Sequence, residues 1–178
     1  VGLHGITMII AMIIVATGPF GNYIMPIMIG ARDMAFPRLN ALSWWVLFTA
    51  IPVLCSAWFL GGIPTGWTAY APLSVQAGPG MNAFIATIII FAFSTAVAGM
   101  NITATVVAMR AKGMKWNRVP IFVIGATISV ALAIPAFPTF MLAMIQTAID
   151  RTIATGFYDA STGGSGWLYA NLFWIMGH

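Results

Sequence analysis

Charged residues are scarce in this chain of 178 residues: Asp, Glu, Lys and Arg together make up 6% of it, against 61% hydrophobic residues. Soluble domains carry about 25% charged residues. Since a soluble globule of this size has no means of covering so much apolar surface, the composition excludes an ordinary cytosolic enzyme, a nucleic-acid-binding module and a disordered tail. The formal net charge of +4 comes from too few side chains to form a basic face for an anionic partner.

Cysteine and histidine are nearly absent. The single cysteine, Cys55, excludes an intrachain disulfide and a thiolate cluster, and its apolar neighbours predict a buried, hydrophobic role. The two histidines, His4 and His178, each lie in an apolar segment. A neutral imidazole in such a place either hydrogen-bonds to a neighbouring helix or ligates haem iron or copper, and the spacing of two lone histidines leaves both interpretations open.

Long charge-free runs dominate the sequence instead. A helix needs about 20 apolar residues to cross a bilayer, and these runs are too long for barrel strands of about 10 residues. We therefore predict an all-α fold, a polytopic transmembrane helical bundle in one membrane domain covering residues 1–178. The chain begins and ends inside apolar runs, so we expect it to be the middle of a longer protein. The predicted spans, four and the start of a fifth, are residues 1–29, 40–60, 81–109, 119–149 and 167–178.

Basic residues concentrate in two loops, 30–39 and 110–118, and Arg151 is the one exception. Two predicted spans separate these loops, so both face the same side, and the excess of Lys and Arg predicts that this side is cytoplasmic. Aromatic residues near the opposite boundary predict a belt at the membrane surface. The belt residues are Trp67, Tyr70, Tyr158, Trp167 and Tyr169.

Asp33 is the one carboxylate in the two basic loops. In the structural interpretation, Asp33 caps a helix or pairs with a nearby arginine. In the functional interpretation, it forms the mouth of a proton path, and Asn22 and Asn40 hold the water chain that leads inward from it. Polar groups inside a membrane are rare and often mark such routes.

A second polar set lies on the third span. Ser94 and Asn101 are seven residues apart and share one helix face, with Thr95 beside Ser94. Ser and Thr in such helices commonly bond to their own backbone or join two helices, which is the alternative to a channel role.

The run FGNYIMPIMIGARDMAFPRLNALSW, residues 20–44, resembles subunit I of the haem-copper terminal oxidases of the cytochrome c oxidase type. Further blocks follow the family's order, and the resemblance covers essentially the whole chain. It implies the second to fifth helices, and the start of the sixth, of a subunit of about twelve helices. The further blocks are His4-Gly5 and residues 66–74, 99–101, 110–114 and 168–178.

By that resemblance, His4 is an axial ligand of a low-spin haem iron. His178 is a catalytic-site ligand of the copper beside a high-spin haem, and Trp67 lies near the haem propionates. Gly2 and Gly5 flank His4, and their lack of side chains is expected to let the porphyrin approach the helix.

The resemblance also implies a proton channel of the D type. Asp33 matches its entrance carboxylate, and Asn22 and Asn40 match its gating asparagines. The remaining positions at or near the channel are Ser94, Thr95 and Asn101.

The implied function is that of the core catalytic subunit of a respiratory terminal oxidase in a bacterial cytoplasmic membrane. Such a subunit reduces oxygen to water with electrons from cytochrome c and pumps protons. Its expected partners are subunits of the II and III types, and no nucleic-acid partner is expected. Three alternatives stay open: a quinol donor, a non-catalytic membrane scaffold, and a secondary transporter with broken helices.

Overall fold

The computed structural model describes the backbone of residues 1–178, and the side chains of all of these except residues 11–17 and 19. The described backbone consists of helices and loops, without a strand, which confirms the predicted all-α class. Its α-helices are α1 (Gly2–Ile29), α2 (Pro37–Phe59), α3 (Leu73–Gln76), α4 (Gly80–Ala108), α5 (Ile121–Ile153) and α6 (Gly166–Gly177).

Three of these helices, α2, α4 and α5, are long and apolar enough to cross a membrane, judged by length and composition within the described residues. The predicted span 1–29 includes residues 11–17 and 19, whose side chains lie outside the described part. The short helix α3 was not predicted. It occupies the connection between α2 and α4, which the sequence marks only as a glycine- and proline-containing break.

Proline and glycine set the helix boundaries. Pro37 is the first residue of α2, where its missing N–H costs no hydrogen bond. Pro79 and Pro120 precede α4 and α5 directly. Gly30 ends α1 with φ of 72°, a left-handed conformation that glycine adopts without strain. These signals explain why the helix boundaries lie close to the charge-free runs.

Helix α4 is the centre of the bundle. It packs extensively against α2 and α5 and more lightly against α1, and α5 in turn packs against α6. Successive long helices are antiparallel, so the loops gather at two ends. We call the end formed by loops 30–36 and 109–120 the basic end, and the end formed by loops 60–72, 77–79 and 154–165 the aromatic end.

Two hydrophobic clusters fill the bundle. The smaller one lies near the basic end and includes Met25, Met34 and Val106. The larger one extends to the aromatic end and includes Phe84, Tyr158 and Tyr169. Cys55, predicted to be buried, is exposed, because it lies on the face of α2 that points away from α4.

Candidate functional site: a polar cavity and two histidine-bearing helices

A cavity of about 450 Å³ lies between α1, α2, α4 and α5. Its polar lining comes from all four helices, and the remainder of the described lining is mostly apolar. Four residues that the sequence predicts for one site, on three different helices, meet here. The polar lining side chains are Asn22, Asn40, Ser43, Ser94, Thr95 and Ser129.

The side-chain amide of Asn22 makes one hydrogen bond to its own helix, and its oxygen has no hydrogen-bond partner among the described residues. Its Nδ2 donates to the carbonyl of Gly18 at 2.9 Å. Its Oδ1 is buried and has no hydrogen-bond partner among the described residues. A buried amide oxygen without a partner is uncommon, and the usual partner in such a place is an ordered water.

The hydroxyls of the cavity donate to backbone carbonyls. Ser94 Oγ donates to the carbonyl of Ser43 at 2.7 Å, which joins α4 to α2. Thr95 Oγ1 donates to the carbonyl of Phe91, one turn earlier in α4, at 2.9 Å. Each hydroxyl oxygen keeps lone pairs with which it can accept a hydrogen bond.

Two cavity residues, Ser43 and Ser129, were not among the predicted site residues. Ser43 lies three residues after Asn40 on one face of α2, and its Oγ donates to the carbonyl of Asn40 at 2.8 Å. That spacing was the available signal. Ser129 donates to Gly125 at 2.9 Å in the same manner, and nothing in the sequence separates it from other helical serines.

Asp33 lies in the loop at the basic end, exposed and outside the described lining of the cavity. Its Oδ1 accepts a hydrogen bond from the N–H of Met34 at 2.7 Å. The carboxylate therefore stabilises its own loop through this oxygen.

Asn101 is fully buried in α4 and is not one of the described cavity-lining residues. Its Oδ1 accepts from the N–H of Phe36 at 2.9 Å. Its Nδ2 has no partner among the described residues. The structure thus places Asn101 between the α1–α2 loop and the interior of the bundle.

His4 lies in α1 and His178 directly follows the last residue of α6, and both are exposed. On α1, the glycines that flank His4 face the loop at the aromatic end. A Cβ on Gly2 would lie 2.5 Å from the carbonyl oxygen of Ile63, and one on Gly5 would lie 3.3 Å from Cβ of Trp67. Loop 63–67, and not a porphyrin, therefore makes the close contact with these two glycines.

Trp67 connects the two histidine-bearing helices. It packs against Gly5, next to His4, and its ring lies 5.7 Å from that of Phe173 and 6.2 Å from that of Trp174, both on α6. The N–H of the Trp174 indole donates to the Tyr70 hydroxyl. Since Trp174 precedes His178 by one helical turn, this packing fixes the ends of α1 and α6 to the same loop.

The predicted aromatic belt is only partly present. Trp167 is 79% exposed, as expected, and Tyr70 is 41% exposed. Tyr158 and Tyr169, in contrast, are buried in the larger hydrophobic cluster. Burial raises the pKa of the Tyr158 phenol, so it stays protonated and bonds to Gln146 Oε1 at 2.9 Å.

Two charged residues at the end of α5 organise the loops of the aromatic end. Asp150 accepts from the N–H groups of Phe157 and Tyr158 at 2.9 and 3.0 Å. Arg151 Nε donates to Asn82 Oδ1 at 2.7 Å. The Arg151 guanidinium also donates to four carbonyls between 2.7 and 3.0 Å: Ser74, Val75, Ala77 and Gly78.

The described residues contain no group of three or more His, Cys, Asp or Glu that could hold a metal ion. His4 and His178 are separate, exposed imidazoles, and their roles as ligands stay predictions. Neutral imidazole is a common ligand of haem iron and of copper.

The chain matches one protein family along its full length. The family model described as Cytochrome C and Quinol oxidase polypeptide I matches residues 1–178. Among curated proteins, cytochrome c oxidase subunit 1 of Bacillus subtilis (strain 168) is 39% identical over 178 residues, which is 99% of this chain and 29% of that protein.

Two further relatives carry different names. Alternative cytochrome c oxidase subunit 1 of Bradyrhizobium diazoefficiens is 36% identical, covering 99% of this chain and 33% of the relative. Quinol oxidase subunit 1 of Bacillus subtilis (strain 168) is 37% identical, covering 98% of this chain and 28% of the relative. The chain thus spans about a third of the length of the curated relatives it matches.

Proposed function

Because the chain belongs to the family of cytochrome c and quinol oxidase polypeptide I, we propose that it forms part of the core subunit of a respiratory haem-copper oxidase. The proposed complex reduces oxygen to water and lies in a bacterial cytoplasmic membrane, with loops 30–39 and 110–118 on the cytoplasmic side. The whole-length family match is the observation that carries this proposal, and the meeting of Asn22, Asn40, Ser94 and Thr95 in one cavity supports it.

The cofactors of this proposal are a low-spin haem, a high-spin haem and copper. His4 is the proposed axial ligand of the low-spin haem, and His178 the proposed catalytic-site ligand of the copper. When bound, these groups supply electron transfer and the reduction of oxygen. The part of this chain is to hold two imidazoles, one in α1 and one directly after α6, and Trp67 packs against both helices.

The proposed proton path begins at Asp33 and continues into the cavity. Charge inside a low-dielectric bundle is costly unless an opposite charge accompanies it, so each electron that enters such a core favours uptake of a proton. Asn22 Oδ1 and Asn101 Nδ2 are buried polar atoms without a partner among the described residues, and each suits a water molecule. The volume of about 450 Å³ is ample for several waters.

Two electron donors fit the comparisons, because the similar proteins include both cytochrome c oxidases and quinol oxidases. We propose cytochrome c as the donor and keep quinol as the second candidate. The similarity to the quinol oxidase subunit 1 of Bacillus subtilis, at 37% identity, favours this second candidate. The proposed partners are subunits of the II and III types and the lipid bilayer. Oxygen consumption by the purified complex with each donor in turn decides between the two.

Replacing Asp33 by Asn in the intact complex tests the proton path. We expect proton uptake and oxygen consumption to fall about tenfold or more. This is less than the hundredfold or greater cost of removing a proton-transfer group at the reacting atoms, because water can still deliver protons slowly to an entrance. Uptake is followed with a pH-indicating dye, and oxygen consumption with an electrode.

Asp159→Asn is the matched control, since Asp159 is an exposed carboxylate at the opposite, aromatic end. We expect this variant to keep the full rates. Equal rates in the unaltered complex and the Asp33→Asn complex would refute the proposed entrance.

A further inference from the structure

A buried phenol on α6 holds the backbone of the loop that carries Trp67. Tyr169 is 0% exposed, and its hydroxyl donates to the carbonyl of Thr68 at 2.7 Å. The two residues are 101 positions apart in the sequence, so this hydrogen bond joins α6 to a distant loop. The acceptor belongs to the residue directly after Trp67.

The next residue of the loop, Ala69, has an unfavourable backbone conformation. Its φ of 50° lies in the left-handed region, which a residue with a β-carbon adopts only where the surrounding contacts impose it. Ala69 is also 0% exposed. Rotation about this φ turns the peptide group whose oxygen Tyr169 holds, so the hydrogen bond from Tyr169 acts on the peptide that the strained angle orients.

The phenol is itself fixed by the aromatic rings around it. The ring of Tyr169 stacks on that of Phe173, one turn later in α6, with centroids 5.9 Å apart. The rings of Tyr70 and Tyr158 lie edge to face with it at 6.0 and 5.6 Å. Because packing already restricts this side chain, its hydroxyl loses little further freedom when it bonds to the loop.

Trp67 transmits this constraint to α1. Its ring lies 5.7 Å from that of Phe173, and a Cβ on Gly5 would lie 3.3 Å from its own Cβ. Gly5 directly follows His4 in the sequence. The side chain of Trp67 therefore packs between α6 and the part of α1 that carries His4.

We propose that Tyr169 is a positioning residue for the low-spin haem: its hydroxyl fixes the peptide after Trp67 and so keeps Trp67 packed against α1 beside His4. This inference rests on the proposed function, in which His4 ligates that haem. Tyr169 acts through Trp67 and is not itself a ligand. Packing at Trp67 limits the access of water from the aromatic end to His4, and access of water is one of the factors that set a haem potential.

Tyr169→Phe removes the hydroxyl and keeps the ring with its aromatic contacts. In the intact complex, we expect the backbone amides of residues 66–70 to exchange with deuterium about tenfold faster, because the loop loses a hydrogen bond that opposes its opening. Hydrogen exchange followed by mass spectrometry measures this rate. An unchanged rate overturns the proposal.

The same variant is expected to lower the midpoint potential of the low-spin haem. Oxidised haem carries one more positive charge than reduced haem, so water admitted beside it stabilises the oxidised form. We expect the reduction equilibrium to fall about threefold, which corresponds to about 30 mV at about 59 mV per tenfold change for one electron. A redox titration followed optically measures the potential, and an unchanged potential contradicts the positioning role.

Tyr158→Phe makes the same chemical change in a neighbouring buried tyrosine. The Tyr158 hydroxyl lies 2.9 Å from Gln146 Oε1 and 3.2 Å from the carbonyl of Ala143, both on α5. Since neither partner belongs to loop 66–70, we expect the exchange rates of that loop and the midpoint potential to stay unchanged. Equal changes in the Tyr158 and Tyr169 variants would assign the effect to a general loss of packing and overturn the proposal.

Para-aminophenylalanine at position 169 restores a donor on the same ring. We expect this variant to recover the exchange rate and the potential of the unaltered complex, and values equal to those of Tyr169→Phe would contradict the hydrogen-bond role. If Tyr169→Phe yields no assembled complex, the para-amino variant decides: exchange faster than in the unaltered complex overturns the proposal, and the unaltered rate supports it.

Failure of this inference is distinguishable from failure of the proposed function. A low-spin haem band that persists in His4→Ala refutes the ligand role of His4, whatever Tyr169 does. A band that depends on His4, together with an unchanged potential in Tyr169→Phe, leaves the proposed function in place and refutes only the positioning role of Tyr169.

Discussion

At the scale of single residues, close backbone contacts determine where the histidine-bearing end of α1 lies. Gly2 faces the carbonyl of Ile63, and no β-carbon fits between them without movement of the loop backbone. Gly5 lies against Trp67 in the same way at a longer distance. The two glycines thus allow α1 to approach loop 63–67, and this approach sets the position of His4.

Gly2→Ala is expected to lower the stability of this end by about 1–3 kcal/mol, because the added Cβ would lie 2.5 Å from a backbone oxygen. Thermal denaturation of the intact complex, followed by circular dichroism, measures the effect. Gly125→Ala is the control: nothing lies within 4 Å of a Cβ there, and alanine favours a helix over glycine by up to about 1 kcal/mol. An unchanged melting temperature in Gly2→Ala would contradict the contact.

The sequence predicted some of the residues of the candidate site. Asn22, Asn40, Ser94 and Thr95 were expected together from the resemblance, and the structure places them around one cavity. Their roles in proton transfer stay predictions. The hydrogen bond from the N–H of Ala35 to Thr105 Oγ1 was not predicted, because the two residues are 70 positions apart in the sequence and a threonine in an apolar helix usually bonds to its own backbone.

At the scale of secondary-structure elements, α3 is the least expected feature and depends on a distant side chain. A helix of 4 residues has little stability of its own. Arg151, at the end of α5, donates to the carbonyls of Ser74, Val75 and Ala77. It therefore supplies donors to carbonyls at the end of α3, which no sequence signal within residues 73–76 could reveal.

Arg151→Gln is expected to destabilise the aromatic end by about 3 kcal/mol, since several carbonyls lose a charged donor at once. Arg151→Lys is expected to recover only part of this, because a single ammonium cannot reproduce the fork of the guanidinium. Denaturation temperatures of the two variants in the intact complex give the comparison. If both variants have the same denaturation temperature as the unaltered protein, α3 does not depend on Arg151.

At the scale of the whole molecule, hydropathy and charge predicted the all-α class of the bundle. The long helices lie in the charge-free runs, and the polar or glycine-containing segments form the connections between them. Burial of individual side chains was less predictable, because it depends on which face of a helix meets a neighbour. Cys55 is exposed and Tyr158 and Tyr169 are buried, each against its expectation.

Three features of the bundle together support the proposed oxidase. The polar cavity lies between four helices, Asp33 lies at the basic end, and α1 and α6 both pack against loop 63–67. A transporter or a scaffold of the same family would keep the helices and require no metal. The account therefore depends on whether His4 ligates haem.

The reduced-minus-oxidised optical spectrum of the intact complex carrying His4→Ala tests this most directly. A haem iron that loses an axial imidazole changes its spin state or leaves the protein. We predict that the low-spin haem band present in the unaltered complex disappears in the variant. A low-spin band of unchanged position and intensity would contradict the ligand role of His4 and the function built on it.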